Sequence, residues 1–386
     1  MKLSERMARL GTETAFEVLV RARALEAKGR DNVHLEIGEP DFDTPSFITE
    51  AAIEALRGGA THYGPAAGLP DLRQAVAEDS TRRRGVKATP EMVVVTPGGK
   101  PIMFYVILAL IDPGDEVLYP NPGFPIYESM IRYIGGVPVP VRLVEDRGFE
   151  LDVQQLIDKI GPKTRLIILN YPHNPTGGVI SEAGLRAIAD AAVQHRIPVL
   201  ADEIYSQILY DGRHVSIAAM PGMEPLAIVL DGFSKTYAMT GWRLGYGVMP
   251  APLAQVVAKL QTNAVSCTAT FTQKAGVAAL RGDHSGVHAM VAEFKRRRDA
   301  IVDGLRQIPG FKCPRPQGAF YVFPNITGTG FSAKALADRL LDEAGVACLS
   351  GTAFGEWGEG HLRFSYANSL ENIEEALRRI KDLLTR

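Results

Sequence analysis

The chain is short of cysteine, of excess charge of either sign and of long apolar runs, and each shortage removes a class of protein. Its three cysteines, Cys267, Cys313 and Cys348, are odd in number, far apart and form no C-x-x-C. Neither a disulfide framework nor a cysteine-ligated metal is expected; free thiols in a reducing compartment, the cytoplasm, are. Lys plus Arg total 42 and Asp plus Glu 44, a net charge of −2. That balance argues against nucleic-acid binding and against a polybasic membrane surface. The longest apolar stretch, residues 101–111, is too short to cross a bilayer. Residues 1–9 are charged and lack the apolar segment of a secretory signal. There is no tandem repeat, and no G-x-G-x-x-G after an early strand, which disfavours a dinucleotide-dependent oxidoreductase.

What is present is a 386-residue chain, 46% apolar and 22% charged, a globular mix long enough for two or three domains. Residues 12–29 read as an amphipathic helix, with Phe16, Leu19, Val20 and Leu25 near helical spacing and Gly29 closing it. Short β-rich runs follow at 93–96, 116–119, 166–170, 199–202, 228–231 and 244–248, with helical patterns such as 182–195 between them. Runs that are apolar throughout imply strands buried on both faces, hence an α/β fold with a mostly parallel sheet covered by helices. Ligands on such sheets bind beyond the carboxyl ends of the strands. After about residue 285 the pattern becomes helix 287–308, strand 319–323, helix 332–344, strand 362–366 and helix 371–384. A smaller α+β domain, formed by 1–44 with 286–386, is expected beside a large domain over 45–285.

The most informative segment is G-F-S-K-T-Y-A-M-T-G-W-R-L-G-Y, residues 232–246. It follows a buried strand and places Lys235 and Arg243 eight residues apart. A lysine among apolar and small residues at a sheet mouth has its pKa lowered by desolvation and can form a Schiff base with a carbonyl. Arg243 can clamp a phosphate with its fork of donors. A phosphate-loop reading fails, because Ser234 stands where the glycine before the lysine is required. Asp202 ends a strand in A-D-E-I-Y, and T-P-G-G-K (96–100) opens a helix straight after another, a geometry that receives anions. Arg363, in H-L-R-F-S-Y-A, is an arginine in an apolar strand and must find an anion there.

The motif S-K-T-Y-A-M-T-G-W-R-L-G-Y resembles the cofactor-lysine signature of class I/II aminotransferases, aspartate aminotransferase-like enzymes of fold type I that use pyridoxal 5′-phosphate (PLP). The similarity runs from I-G-E-P-D-F-D-T-P (37–45) to H-L-R-F-S-Y-A (361–367). It implies a PLP transferase fold of type I and amino-group transfer from an L-amino acid to a 2-oxo acid, commonly 2-oxoglutarate, in two half-reactions. Lys235 would hold the cofactor and act as base; Asp202 would pair with its pyridine nitrogen; Tyr205 and Asn174, in N-P-T-G, would donate to its phenolic oxygen. Gly99, Lys100, Ser234 and Arg243 would contact the phosphate, and Phe124 would stack on the ring. Arg363, with Gly38 and Asn174, would hold the substrate α-carboxylate. Tyr63 would reach the phosphate of a neighbouring subunit, which makes a homodimer necessary.

Two departures bear on these expectations. Gly232 stands where many relatives carry serine, so Ser234 is expected to serve the phosphate instead. Lys100 favours a dicarboxylate donor such as aspartate, whereas Glu17, placed with Ala15 near the substrate by a gapped alignment, opposes one and favours a broad or aromatic donor. A PLP-dependent β-lyase on the same fold is the alternative activity, since the cofactor's electron sink is shared. His284 and His288, at i,i+4, are expected to be surface residues and not metal ligands. Arg82, Arg83 and Arg84, and the run 295–298, are expected to be solvated faces.

Overall fold

Strands that are apolar at every position must bury both faces, and the architecture follows from that requirement. The computed structural model describes residues 1–385. The chain opens with α1 (Thr14–Glu26), β1 (Val33–His34), α2 (Ser46–Arg57) and α3 (Pro70–Arg84). Next come β2 (Val93–Thr96), α4 (Lys100–Leu110), β3 (Glu116–Asn121), α5 (Ile126–Ile134), β4 (Val137–Val144) and β5 (Glu150–Leu151). They lead to α6 (Val153–Asp158), β6 (Thr164–Asn170), α7 (Glu182–His195), β7 (Val199–Asp202), β8 (Ala227–Gly232) and β9 (Gly245–Val248). Helices α8 (Ala251–Val265), α9 (Thr270–Arg281) and α10 (Ser285–Leu305) precede β10 (Tyr321–Val322), α11 (Ala333–Ala344), β11 (Val346–Ala347), β12 (Leu349–Ser350), β13 (Leu362–Ser365) and α12 (Leu370–Leu384).

The large sheet has the order β2-β9-β8-β7-β6-β3-β4-β5, and all its strands except β9 and β5 run the same way. Alternate side chains feed two apolar cores. Val94, Val117, Ile168, Leu200 and Ile228 meet Ile102, Val106 and Ile131 of α4 and α5 on one face. Val93, Val95, Leu118, Ile167, Val199 and Val229 meet the α3, α7 and α9 residues Leu72, Ile188 and Ala279 on the other. Helix α7 starts on Ser181, whose Oγ accepts from the Gly184 N–H at 3.2 Å. The register aligns Asn170, Asp202 and Leu230, so Asn170 and Asp202 end neighbouring strands at one sheet edge.

A third core joins Phe294 and Val302 of α10 to Phe320, Leu336, Phe364 and Ile380, and it includes Val33 and Leu35. Strand β1 pairs in parallel with β11, Val33 opposite Val346, which ties the start of the chain to its C-terminal part.

Three expectations are corrected. Helix α1 buries its apolar stripe only in part: Leu19 and Leu25 are half-buried, Leu25 against Ala22, Leu341 and Ala347, whereas Phe16 and Val20 are exposed. The arginine run at the end of α3 is a solvated face only at Arg82. Arg84 is buried between Glu203 (2.6 Å) and Asp231, and Arg83 pairs with Asp79 at 2.6 Å; acids buried on the sheet demand cations there. In the run 295–298, Arg297 and Arg298 are likewise buried, with Arg297 2.7 Å from Asp41. His284 contacts the Ala279 carbonyl oxygen at 3.0 Å, and no cluster of metal-ligating side chains occurs among the described residues.

Candidate active site

Beyond the carboxyl ends of β2, β6, β7 and β8 lies a cavity of about 520 Å³. Eleven of the twelve expected site residues line it: Gly38, Gly99, Lys100, Phe124, Asn174, Asp202, Tyr205, Ser234, Lys235, Arg243 and Arg363. Tyr63 does not; its side chain is 90% exposed on the surface.

Lys235 follows β8 and projects its Nζ into the cavity, where it donates to the Gly38 carbonyl oxygen and lies 5.7 Å from the Phe320 ring centre. Burial is the main cause that lowers its pKa to about 8; Arg363 and Lys100 push the same way, against Glu39 and Glu13. Such an amine has an appreciable neutral, nucleophilic fraction near neutrality.

Asp202, at the end of β7, accepts from Tyr127 Oη at 2.6 Å through Oδ2 and from the Ile204 N–H at 3.2 Å through Oδ1. Burial raises its pKa to about 6. A cation brought against it would reverse that shift. Tyr205 is buried, its hydroxyl 2.7 Å from Tyr321 Oη, and burial pushes it well above the usual phenol range. The loop after β6 is pinned by Asn170: its Oδ1 accepts from the Asn174 N–H at 2.9 Å and its Nδ2 donates to the Asp202 carbonyl oxygen at 3.1 Å.

Arg363 sits on β13, 4% exposed, between the rings of Tyr321 (4.5 Å) and Phe354 (5.0 Å). It donates to Asn174 Oδ1 at 3.2 Å and to the Glu36 carbonyl oxygen, and its Nε has no partner. No carboxylate of the described residues forms an ion pair with it. A buried guanidinium that lines a cavity and that no protein carboxylate neutralises is built for an incoming anion.

The opposite end of the cavity is a second anion receptor. Gly99 precedes the first turn of α4. Gly98 has φ +89°, and a methyl group there would lie 2.2 Å from Arg243 Nη2. Arg243 is steadied by donating to the Thr240 carbonyl oxygen at 2.7 Å. A helix N-terminus, bare glycines and an arginine suit a phosphate. The residues therefore fit PLP: a carboxylate for a ring nitrogen, a hydroxyl and an amide nearby, Phe124 for a ring face, and a cradle for the phosphate. A side chain at Gly232 would meet Gly245 Cα at 3.0 Å and the Leu244 carbonyl oxygen at 3.1 Å, so the backbone itself keeps this position small.

Four functional candidates were not anticipated. Tyr127 holds Asp202 from across 75 residues of sequence, and no motif announces it. Tyr321 backs Tyr205, and a methyl at Gly38 would come within 2.0 Å of its hydroxyl oxygen. Phe354 flanks Arg363. Glu13 pairs with Lys100 at the cavity wall, whereas Glu17 is exposed and lies off the cavity. Of Glu13 and Glu17 it is thus Glu13, two residues before the cavity-lining Ala15, that lines the cavity.

A buried unpaired guanidinium opposite a softened amine suits a molecule that carries a carboxylate and an amino group together, and the class so defined is that of PLP enzymes acting on amino acids. Residues 30–380 match the family model "Aminotransferase class I and II", and the chain belongs to that family. It is 41% identical over 99% of its length, and 98% of the relative's, to a probable aspartate/prephenate aminotransferase of Aquifex aeolicus. It is 39% identical over its full length, and 98% of the relative's, to an aromatic-amino-acid aminotransferase of Thermococcus litoralis. Among solved structures, the aspartate aminotransferase of Thermus thermophilus with maleate superposes with a TM-score of 0.96 at 38% identity, covering 99% of this chain and all of that one. The protein is a PLP-dependent aminotransferase of fold type I that moves an amino group from an amino acid to a 2-oxo acid. No helix of the described residues is long and apolar enough to cross a membrane.

Proposed function

We propose that one cavity serves both half-reactions, with an L-amino acid as donor and a 2-oxo acid as acceptor, and with the large unit (45–285) carrying the cofactor and 1–44 with 286–386 the substrate arginine. The observation that carries this reading is that Lys235 and Arg363, a guanidinium that no protein carboxylate neutralises, line the same cavity. Arg363 binds the α-carboxylate and fixes the α-carbon; Asn174, already bonded to it, squares its fork. Lys235 Nζ takes the α-proton and returns it, a role suited to an amine whose pKa is near 8. Bound PLP supplies an electron sink for the charge left at the α-carbon. Asp202 would hold the ring nitrogen in its cationic form, and Gly99, Ser234 and Arg243 would hold the phosphate. Tyr205 and Asn174 would serve the phenolic oxygen, and Phe124 the ring.

The exposure of Tyr63, and of Phe16 and Val20 on α1, supports a homodimer in which Tyr63 completes the neighbouring phosphate site. Three unpaired cysteines support a cytoplasmic setting. The test is Lys235→Ala. Transamination should fall by roughly 10⁴-fold or more, and the visible absorption that borohydride bleaches in the holoenzyme should be lost. Retention of amino transfer by this variant sinks the assignment.

A further inference from the structure

The donor amino acid has four directions at its α-carbon, and the site proposed above uses three. The α-carboxylate goes to Arg363, while the amino nitrogen and the α-proton face Lys235. The side chain must take the remaining wall, which the N-terminal segment Glu13, Thr14, Ala15 and Phe16 builds with Lys100 and Met103. That segment is fixed in place. Gly11 N–H donates to Ser129 Oγ at 2.9 Å, Ser129 Oγ donates back to the Gly11 carbonyl oxygen at 3.1 Å, and Arg9 Nε donates to the Arg132 carbonyl oxygen at 2.9 Å. All three contacts are with α5, which also carries Tyr127.

At this wall the charges cancel. Lys100 Nζ lies 5.4 Å from the Phe124 ring centre and is bonded to Glu13 Oε1. The Glu13 side chain is 17% exposed and that of Lys100 51%. The Glu13 field also reaches Lys235 and Arg363, where it opposes the loss of their protons. The other cations of the cavity are already engaged, Arg363 by the α-carboxylate, Arg243 by the phosphate and Lys235 by the chemistry. A second carboxylate on the substrate would have to share Lys100 with Glu13, and would then sit beside that anion.

We infer that Glu13 is a specificity-determining residue: by holding Lys100 it withholds the cation that a dicarboxylate needs, so the site favours donors with uncharged, apolar side chains over aspartate. This rests on the functional reading above and deepens it. Glu13 acts through Lys100 and is a positioning residue, and the flanking Phe16, Met103 and Phe124 supply the apolar surface that a neutral side chain would cover.

The test uses purified holoenzyme, wild type, Glu13→Gln and Glu13→Gln/Lys100→Met. Two quantities are read: the Kd of maleate, a dicarboxylate without an amino group, and the donor half-reaction with aspartate and with phenylalanine, which keeps the acceptor out of the measurement. Glu13→Gln should tighten maleate about tenfold and raise the aspartate-to-phenylalanine ratio of kcat/KM by a similar factor. The change should lie in the aspartate KM, and the double variant should lose the gain. Raised salt should shrink it. An unchanged maleate Kd in Glu13→Gln, or a gain that persists without Lys100, overturns the inference. A wild type that transfers the amino group of no donor overturns the functional reading beneath it.

Discussion

Asp202 and Glu203 are consecutive acids at the end of β7, both buried, and they behave in opposite ways. Asp202 turns to the cavity face, where one tyrosine hydroxyl and one backbone N–H are its partners, and burial raises its pKa to about 6. Glu203 turns to the other face. Burial pushes it up as well, but His214 (3.0 Å), Arg84 (2.6 Å) and Ser216 (2.5 Å) overcome that and hold it well below the usual carboxylate range. The same desolvation thus gives a poised acid on one face and a locked one on the other. The difference lies in the cations supplied: Arg84 serves Glu203 and Asp231 behind the sheet, and the cavity face leaves Asp202 for a cationic ligand.

The strongest way to break the contrast is to neutralise the poised acid. Asp202→Asn should lower transamination by about 10³-fold, the loss expected when a charge facing the reacting system is removed, measured as kcat with saturating PLP. Its effect on the protein without cofactor should be opposite in kind. Because the folded state keeps the Asp202 proton up to about pH 6 whereas the unfolded chain releases it near 3.8, ionising Asp202 costs stability that grows as pH rises between those values. Asp202→Asn should therefore be at least as stable as the native chain at pH 7 by denaturant unfolding. A large loss of stability would show that Asp202 is a structural anchor after all.

The back face predicts the reverse. Arg84→Leu strands Glu203 and Asp231 and should cost about 3–5 kcal/mol of unfolding free energy. The cavity residues lie across the sheet, so the fraction that remains folded should keep kcat within a few-fold. A stable Arg84→Leu protein would mean that water reaches these acids and that they are not locked.

This pairing also marks what was legible in the sequence. Strand ends were readable because apolar runs stop at polar residues, and that placed Asp202, Asn174 and Lys235 on one sheet edge. The segment β4 was not, because Pro138 and Pro140 break the strand pattern. The two prolines are alternate residues, so their missing N–H groups point to one side. The parallel pairing with β3 takes the other, and β5 covers only Leu143 and Val144. Arg84 looked like a solvated charge because a run of three arginines carries no burial signal. The available hint was Glu203 and Asp231, acids at the ends of apolar strands that need cations wherever their side chains point. Glu13 and Tyr127 were out of reach, since only the folded chain sets them against Lys100 and Asp202.

The smallest effect tests how the poised state is held. Tyr127 Oη donates to the ionised form of Asp202 and so opposes the rise that burial imposes. Tyr127→Phe removes that donor without removing the ring, which meets Phe124 edge-on with centroids 5.6 Å apart. In the protein without cofactor the Asp202 pKa should climb above about 6, leaving more of it protonated and less able to take up a cationic ring at pH 7. Affinity for PLP should fall about tenfold at that pH, in line with the loss of one hydrogen bond to a charged group. The sign fixes the pH dependence: raising the pH restores the carboxylate, so the deficit relative to the native enzyme should narrow between about pH 7 and 9. A deficit that is flat across that range would mean that Tyr127 orients Asp202 without tuning its charge, and the contrast with Glu203 would then rest on burial and on the ligand alone.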